Sequence, residues 1–257
     1  MVAVTPQSAE PGRVAIVTGA ALGLGRAIAR ELAAAGWSLV AVDMQAEQLA
    51  ALAAELQEGG HPVVTVVADM TAQDTPAVVM AAAEEAFDRA DALVNNAGIV
   101  DYAGFFDSDR AMLQRLLDVD VTSVYMMTQA FAATLRRRGT AGSVVNLGTS
   151  HAISGVAGTS AYAAAKGAVH AMSRALAVEL ADLGIRVNTL ALGTTLTDRV
   201  RNDLPAELLS QRYRQIPLKR GAEPEEAARA VAFLLDAEYA TGTELVLDGG
   251  FTVYGDG

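Results

Sequence analysis

No cysteine occurs in the 257 residues. Disulfides, cysteine-ligated metal and thiol chemistry are therefore excluded, in keeping with a reducing compartment. The three histidines, His61, His151 and His170, stand alone, without the paired spacing that sets two ligands on one helix face, so no metal site is expected. Cations are scarce: 19 Lys and Arg against 30 Asp and Glu leave a net charge of −11, which repels polyanions and argues against a nucleic-acid partner. The one dense basic run, Arg136-Arg137-Arg138, precedes Gly139 and reads as cations complementing the negative end of a helix. No apolar run approaches the roughly 20 residues that cross a bilayer. The first dozen residues hold Pro6, Pro11 and Gly12 and lack the charged start and apolar centre of a secretion signal. Residues 1–12 therefore read as a loose tail and residues 13–257 as one domain, in a cytoplasmic protein with no membrane partner.

Apolar residues, by contrast, make up 52% of the chain and run from end to end, enough for a core without metal or disulfide staples. Short β-branched runs at 13–18, 38–43, 63–68, 92–95, 143–147, 186–191 and 244–247 read as strands. Most are continuously hydrophobic, as strands covered on both faces must be. Between them, 25–35, 46–57, 75–87, 109–138, 161–183 and 225–235 read as helices. This alternation predicts an α/β fold: a Rossmann-like, doubly wound parallel sheet with helices on both faces and ligands beyond the carboxyl ends of its strands. Residues 194–220, containing Pro205 and Pro217, read as an insertion over those strand ends. Trp37, between a helix and a strand, reads as packing.

Thr18-Gly19-Ala20-Ala21-Leu22-Gly23-Leu24-Gly25 follows the first strand and opens a helix. Glycines there permit a tight turn and a close backbone approach to a pyrophosphate, and they also suit an ordinary loop. Asp43 ends the second strand, where a carboxylate either binds ribose hydroxyls or caps the next helix. No Arg or Lys stands beside it or in the glycine loop, so NAD is preferred to NADP. Tyr162-Ala163-Ala164-Ala165-Lys166 places a phenol and an ammonium on one helix face. The ammonium is expected to lower the phenol pKa toward that of a working acid/base. A surface turn would carry the same spacing.

These motifs, with Asp69, Asn95-Asn96-Ala97-Gly98, Arg186-Val187-Asn188 and Asp248-Gly249-Gly250 in order, make the chain resemble the short-chain dehydrogenase/reductase family from Arg13 nearly to Tyr254. The resemblance implies hydride transfer between a nicotinamide and a secondary alcohol or ketone, expected to be neutral and fairly apolar. It implies that Gly19, Leu22, Gly23, Leu24 and Gly25 cradle the cofactor and that Asp43 holds the adenosine ribose. Asp69 and Met70 would meet the adenine, and Asn96, Ala97 and Gly98 would line the cleft. Tyr162 and Lys166 would both contact the cofactor, Lys166 at the nicotinamide ribose, Thr195 and Thr197 would touch the nicotinamide half, and Tyr162 would exchange the proton. It implies a homo-oligomer, dimer or tetramer, through the helices at 109–138 and 161–183.

Three positions depart from the family pattern. Its catalytic serine falls on Thr149, which keeps the hydroxyl and adds a methyl; adjacent Ser150 is the alternative. Its asparagine, associated with a helix kink and a proton path to the lysine, falls on Asp120. Its proline after the sixth strand is replaced by Leu192-Gly193, removing a φ constraint. His151 either reaches the substrate or is satisfied by neighbouring backbone, the latter being favoured. Tyr102, Phe105 and Phe106 are candidates to flank the entrance. Two other readings fit: a 3-oxoacyl-carrier-protein reductase using NADPH, against which Asp43 and the acidic balance argue, and a nucleotide-binding regulatory protein without turnover.

Overall fold

Alternation of strand and helix in the sequence becomes one parallel sheet in the computed structural model, which describes residues 12–254. The loose tail expected at 1–12 lies, except for Gly12, outside the described residues. The strands are β1 (Val14–Thr18), β2 (Ser38–Asp43), β3 (Val63–Val67), β4 (Ala92–Asn95), β5 (Gly142–Thr149), β6 (Ile185–Leu192) and β7 (Glu244–Leu247). Their order is β3-β2-β1-β4-β5-β6-β7, and every pairing is parallel. β1 thus lies between β2 and β4, and the chain reverses its winding there, opening a crevice at the strand ends.

The unbroken hydrophobicity of the strands is explained by two cores. Ala15 and Val17 of β1 and Leu39 and Ala41 of β2 face one core, while Val14, Ile16, Val40 and Val42 face the other. The first core is closed by α1 (Gly23–Ala34), α2 (Ala46–Glu58) and α9 (Pro224–Asp236), through Ile28, Leu49 and Val231. The second is closed by α3 (Thr75–Phe87) and α5 (Ser123–Arg138), through Val79, Met127 and Phe131. Phe131 is fully buried, and its truncation to alanine would cost about 3–5 kcal/mol. Trp37 is buried in the first core, as expected, with the Arg13 guanidinium 4.1 Å from its ring centroid.

Local chemistry sets the ends of the helices. Asp109 caps α4 (Arg110–Leu117), accepting a 2.7 Å bond from the Met112 N–H. Gly139 ends α5 with a left-handed φ of 66°. Arg137 and Arg138 of the basic run pair with Glu84 and Asp88 at 3.2 and 2.8 Å. Two expectations need correction. The helix expected over 109–138 is interrupted by a π-helical turn, Asp118–Thr122, whose extra residue turns Asp120 into the protein interior. The helix expected over 161–183 is α6 (Ser160–Glu179), followed by a 3₁₀ turn, Ala181–Leu183. Residues 194–220 carry α7 (Asp198–Asp203) and α8 (Ala206–Gln215), neither with a buried residue.

Candidate active site

At the carboxyl end of β1 the chain must turn sharply into α1. A Cβ on Gly25 would lie 1.9 Å from the Gly19 carbonyl oxygen, so no side chain fits there. Asn96 braces the turn from β4, its Nδ2 donating to the Thr18 and Gly19 carbonyls at 2.9 and 3.0 Å. The Thr18 hydroxyl oxygen accepts from the N–H groups of Asn96 and Ala97, each at 3.0 Å. No side chain caps the first turn of α1, leaving N–H groups for an anion. Leu22 is exposed at this turn, and Leu24 packs on the first core.

Asp43 is buried at the end of β2. One carboxylate oxygen accepts from Ala21 N–H in the glycine loop and the other from Gln45 N–H, both at 3.0 Å. It therefore braces the loop and the entry to α2, whose N-cap position, Gln45, makes no side-chain capping bond. Asp69, past β3, is exposed, and its Oδ1 accepts from the Thr71 N–H and hydroxyl at 2.8 Å, which hold its carboxyl below the usual range. Met70 packs on the second core. An uncapped helix end, a loop that only glycine can form and carboxylates at the ends of β2 and β3 fit a dinucleotide.

The second half of the site gathers at β5. Tyr162 and Lys166, on α6, are both buried, as are Thr149 and Ser150. Lys166 Nζ donates to the Leu147 carbonyl at 3.2 Å and lies 3.4 Å from Asp120 Oδ1. Gly98 lets this pair form, because a Cβ there would come 2.5 Å from Asp120 Oδ1. Asp120 Oδ1 accepts from Ile99 N–H at 3.1 Å, while Oδ2 is buried without a partner. Burial pushes the Asp120 carboxyl up, and Lys166 and the Ile99 N–H oppose the shift.

The phenol departs from expectation. Burial pushes Tyr162 well above the ordinary tyrosine value, and the Asp120 charge adds to this, while the Thr149 hydroxyl pulls the other way. The expected lowering by Lys166 is not seen; its ammonium pairs with Asp120 and donates to the Leu147 carbonyl. Thr149 Oγ1 also accepts from His151 N–H at 3.3 Å and reaches the Leu192 carbonyl at 3.4 Å.

Beside these groups lies a cleft of about 270 Å³ whose walls include Tyr102, Ser150, His151, Thr194, Arg212 and Phe251. Favouring backbone satisfaction for His151 is corrected: its Nδ1 is buried without a partner and its ring faces the cleft, 6.4 Å from Tyr162 centre to centre. Tyr102 does flank the site, 5.6 Å from the Tyr162 ring, and burial raises its pKa to about 12. Phe105 and Phe106 do not; they stack on each other at 5.4 Å and project into solvent. Thr197 caps α7 and faces Gly23 across the crevice. Thr195 bridges to Ala222.

Sequence reasoning missed His170 and Arg212. Buried His170 accepts from Thr149 N–H at Nε2, 3.2 Å, and faces Glu244 at Nδ1, 3.2 Å, so it fixes the end of β5. Four-residue spacing from Lys166 along α6 was its only signal. Arg212 had none.

The family model described as Enoyl-(Acyl carrier protein) reductase matches residues 19–252. The chain is 39% identical over 257 residues to galactitol 2-dehydrogenase (L-tagatose-forming) of Cereibacter sphaeroides, covering 95% of this chain and 96% of that protein. It is 39% identical over 243 residues to cis-4-hydroxycyclohexanecarboxylate dehydrogenase of Sinomonas cyclohexanicum, covering 93% and 96%. A solved structure of 7α-hydroxysteroid dehydrogenase complexed with NADH and 7-oxo glycochenodeoxycholic acid superposes with a TM-score of 0.89 at 29% identity, covering 94% of each chain. The chain belongs to the short-chain dehydrogenase/reductase family of nicotinamide-dependent oxidoreductases.

Proposed function

We propose that this protein oxidises a small secondary alcohol to the ketone with NAD, with Tyr162 accepting the hydroxyl proton. The observation that carries this reading is the convergence of Thr149, Tyr162 and Lys166 beside an open cleft at the end of β5. NAD, when bound, supplies the carbon that accepts the hydride. Gly19, Gly23 and Gly25 with the uncapped end of α1 would hold its pyrophosphate, and Asp43 its adenosine ribose. Asp69 and Met70 would meet the adenine, Asn96, Ala97 and Gly98 the cleft side, and Thr195 and Thr197 the nicotinamide half.

The Thr149 hydroxyl orients the substrate oxygen; it, not Ser150, bears on the phenol. Tyr162 takes the proton as the C–H bond gives up its hydride. A neutral phenol is the resting form, so alcohol oxidation quickens as pH rises and the phenolate fraction grows. The names of the two relatives support an alcohol substrate, and the NADH in the neighbouring structure supports NAD. Against a phosphate-bearing cofactor stands Asp43, followed by Met44 where a cation would be needed. The test is absorbance at 340 nm with NAD or NADP over a panel of cyclic, aliphatic and hydroxyacyl alcohols, with Tyr162→Phe alongside. Turnover with NAD that the substitution abolishes is expected; turnover with NADP alone would overturn the cofactor assignment.

A further inference from the structure

The cleft holds an imbalance of charge. Arg212, half-buried on α8, lines it, and no Asp or Glu does. Of the neighbouring cations, Arg199 pairs with Asp203 at 3.6 Å, Arg201 with Glu223 and Arg220 with Glu226 at 2.6 Å, while Arg214 and Lys219 do not line the cleft. Among the described residues Arg212 has no such partner. Two further polar atoms of the cleft, Ser150 Oγ and His151 Nδ1, are buried and also unpartnered. Buried polar groups without partners are rare in native structures and mark places where a ligand supplies the bond. Between them the walls are apolar, formed by Tyr102, Val156, Ile216 and Phe251.

We infer that the substrate is a hydroxy acid whose carboxylate is bound by Arg212, at the end of the molecule away from the carbinol carbon. This rests on the alcohol oxidation proposed above. A guanidinium presents a planar fork that matches a carboxylate with two parallel hydrogen bonds. A chain with net charge −11 repels anions at large, so an anionic substrate needs a local cation inside the cleft. The Arg212 charge bears on Tyr102 and His151, which share the walls of the cleft with it. His151, kept neutral by burial and by Arg212, lies beside Tyr162 and is free to bond a polar group between the two ends. The volume, about 270 Å³, is slightly below the roughly 300–1,000 Å³ of drug-sized pockets and suits one ring or a short chain. The inward face of Arg212 points to a small acid in the cavity, not to an acidic protein docked outside.

The test compares 3- and 4-hydroxycyclohexanecarboxylates with their carboxamides, using the wild type, Arg212→Gln, Arg212→Lys and Tyr162→Phe. The acid-to-amide ratio of kcat/KM is expected to fall on the order of 10- to 100-fold in Arg212→Gln and less in Arg212→Lys. A second readout needs no turnover: calorimetric binding of cyclohexanecarboxylate to the NADH-loaded protein, weakened in Arg212→Gln while its Tm matches the wild type. If neither ratio nor binding changes while Tyr162→Phe abolishes turnover, the carboxylate assignment is wrong and the alcohol oxidation stands. If Arg212 governs acid binding but no alcohol turns over with either cofactor, the anion site stands and the oxidation fails. A wild type that prefers the amides, or only a carrier-protein thioester with NADPH, overturns the inference.

Discussion

Residues 14–43, which carry β1, α1 and β2, and residues 194–220 both reach the carboxyl ends of the strands, and they are built on opposite terms. In the first, every residue of β1 and β2 is buried, and the turn between β1 and α1 is so tight that Gly25 has no room for a Cβ. In the second, α7 and α8 have no buried residue, and the segment is pinned by Leu196, Ile216, the Thr195–Ala222 bridge and ion pairs at the surface. Exposed ion pairs each add about 0–1 kcal/mol, so the second region is the one to open first. A close backbone approach dictates residue types and leaves a motif. A covering segment held by scattered contacts accepts many sequences and leaves none.

Tyr162→Phe separates the two regions most sharply, because it removes the proton acceptor and leaves both walls in place. Its kcat for alcohol oxidation is expected to fall about 10²- to 10⁴-fold, with NAD affinity by calorimetry unchanged. A loss under tenfold would put the proton acceptor elsewhere. Gly25→Ala attacks the rigid region alone. The added Cβ would overlap the Gly19 carbonyl at 1.9 Å, and the backbone must move. The expected cost is about 1–3 kcal/mol of stability, together with a rise in NAD Kd of more than tenfold. Thermal unfolding and calorimetry read the two effects, and a variant with wild-type values for both would show that the turn is not the cofactor cradle.

Asp43→Asn is a narrower cut in the same region. It keeps the size of the side chain but removes the negative charge, and because its Nδ2 cannot accept, one of the two bonds from the Ala21 and Gln45 N–H groups at 3.0 Å is lost as well. The preference for NAD over NADP in kcat/KM is expected to fall about 10- to 100-fold, the scale of a hydrogen bond to a charged group. An unchanged ratio would mean that Asp43 only braces the glycine loop.

The contrast between the regions also explains what could be read without coordinates. The parallel sheet follows from strands such as β1 and β2, whose alternate residues enter two different cores and so must all be apolar. The glycine turn, Asp43, Asn96, Tyr162 and Lys166 were legible because backbone geometry or helical spacing restricts them. The π-helical turn was not, since one extra residue in a helix of ordinary composition leaves no periodic mark over five residues. The upward shift of Tyr162 was missed because it depends on burial and on Asp120, which is distant in sequence. Arg212 lies in a polar stretch of α8 where only the path of the segment selects the side chain that turns inward.

Asp120→Asn has the smallest expected effect, and its sign comes from proton binding. Burial raises the Asp120 carboxyl above its unfolded value, so the native state holds this proton more tightly than the unfolded chain. The carboxylic acid therefore favours the native state fully below the unfolded pKa, and this advantage is lost as pH rises through the folded pKa. Asparagine does not titrate. Across that interval the Tm difference should move in the variant's favour. Asp120 also raises the Tyr162 phenol, so removing its charge should shift the acid limb of the kcat profile for alcohol oxidation to lower pH. A Tm difference independent of pH would mean that Asp120 binds protons equally in the native and unfolded states, so that burial does not raise its carboxyl, and an unmoved acid limb would mean that its charge does not reach the Tyr162 phenol.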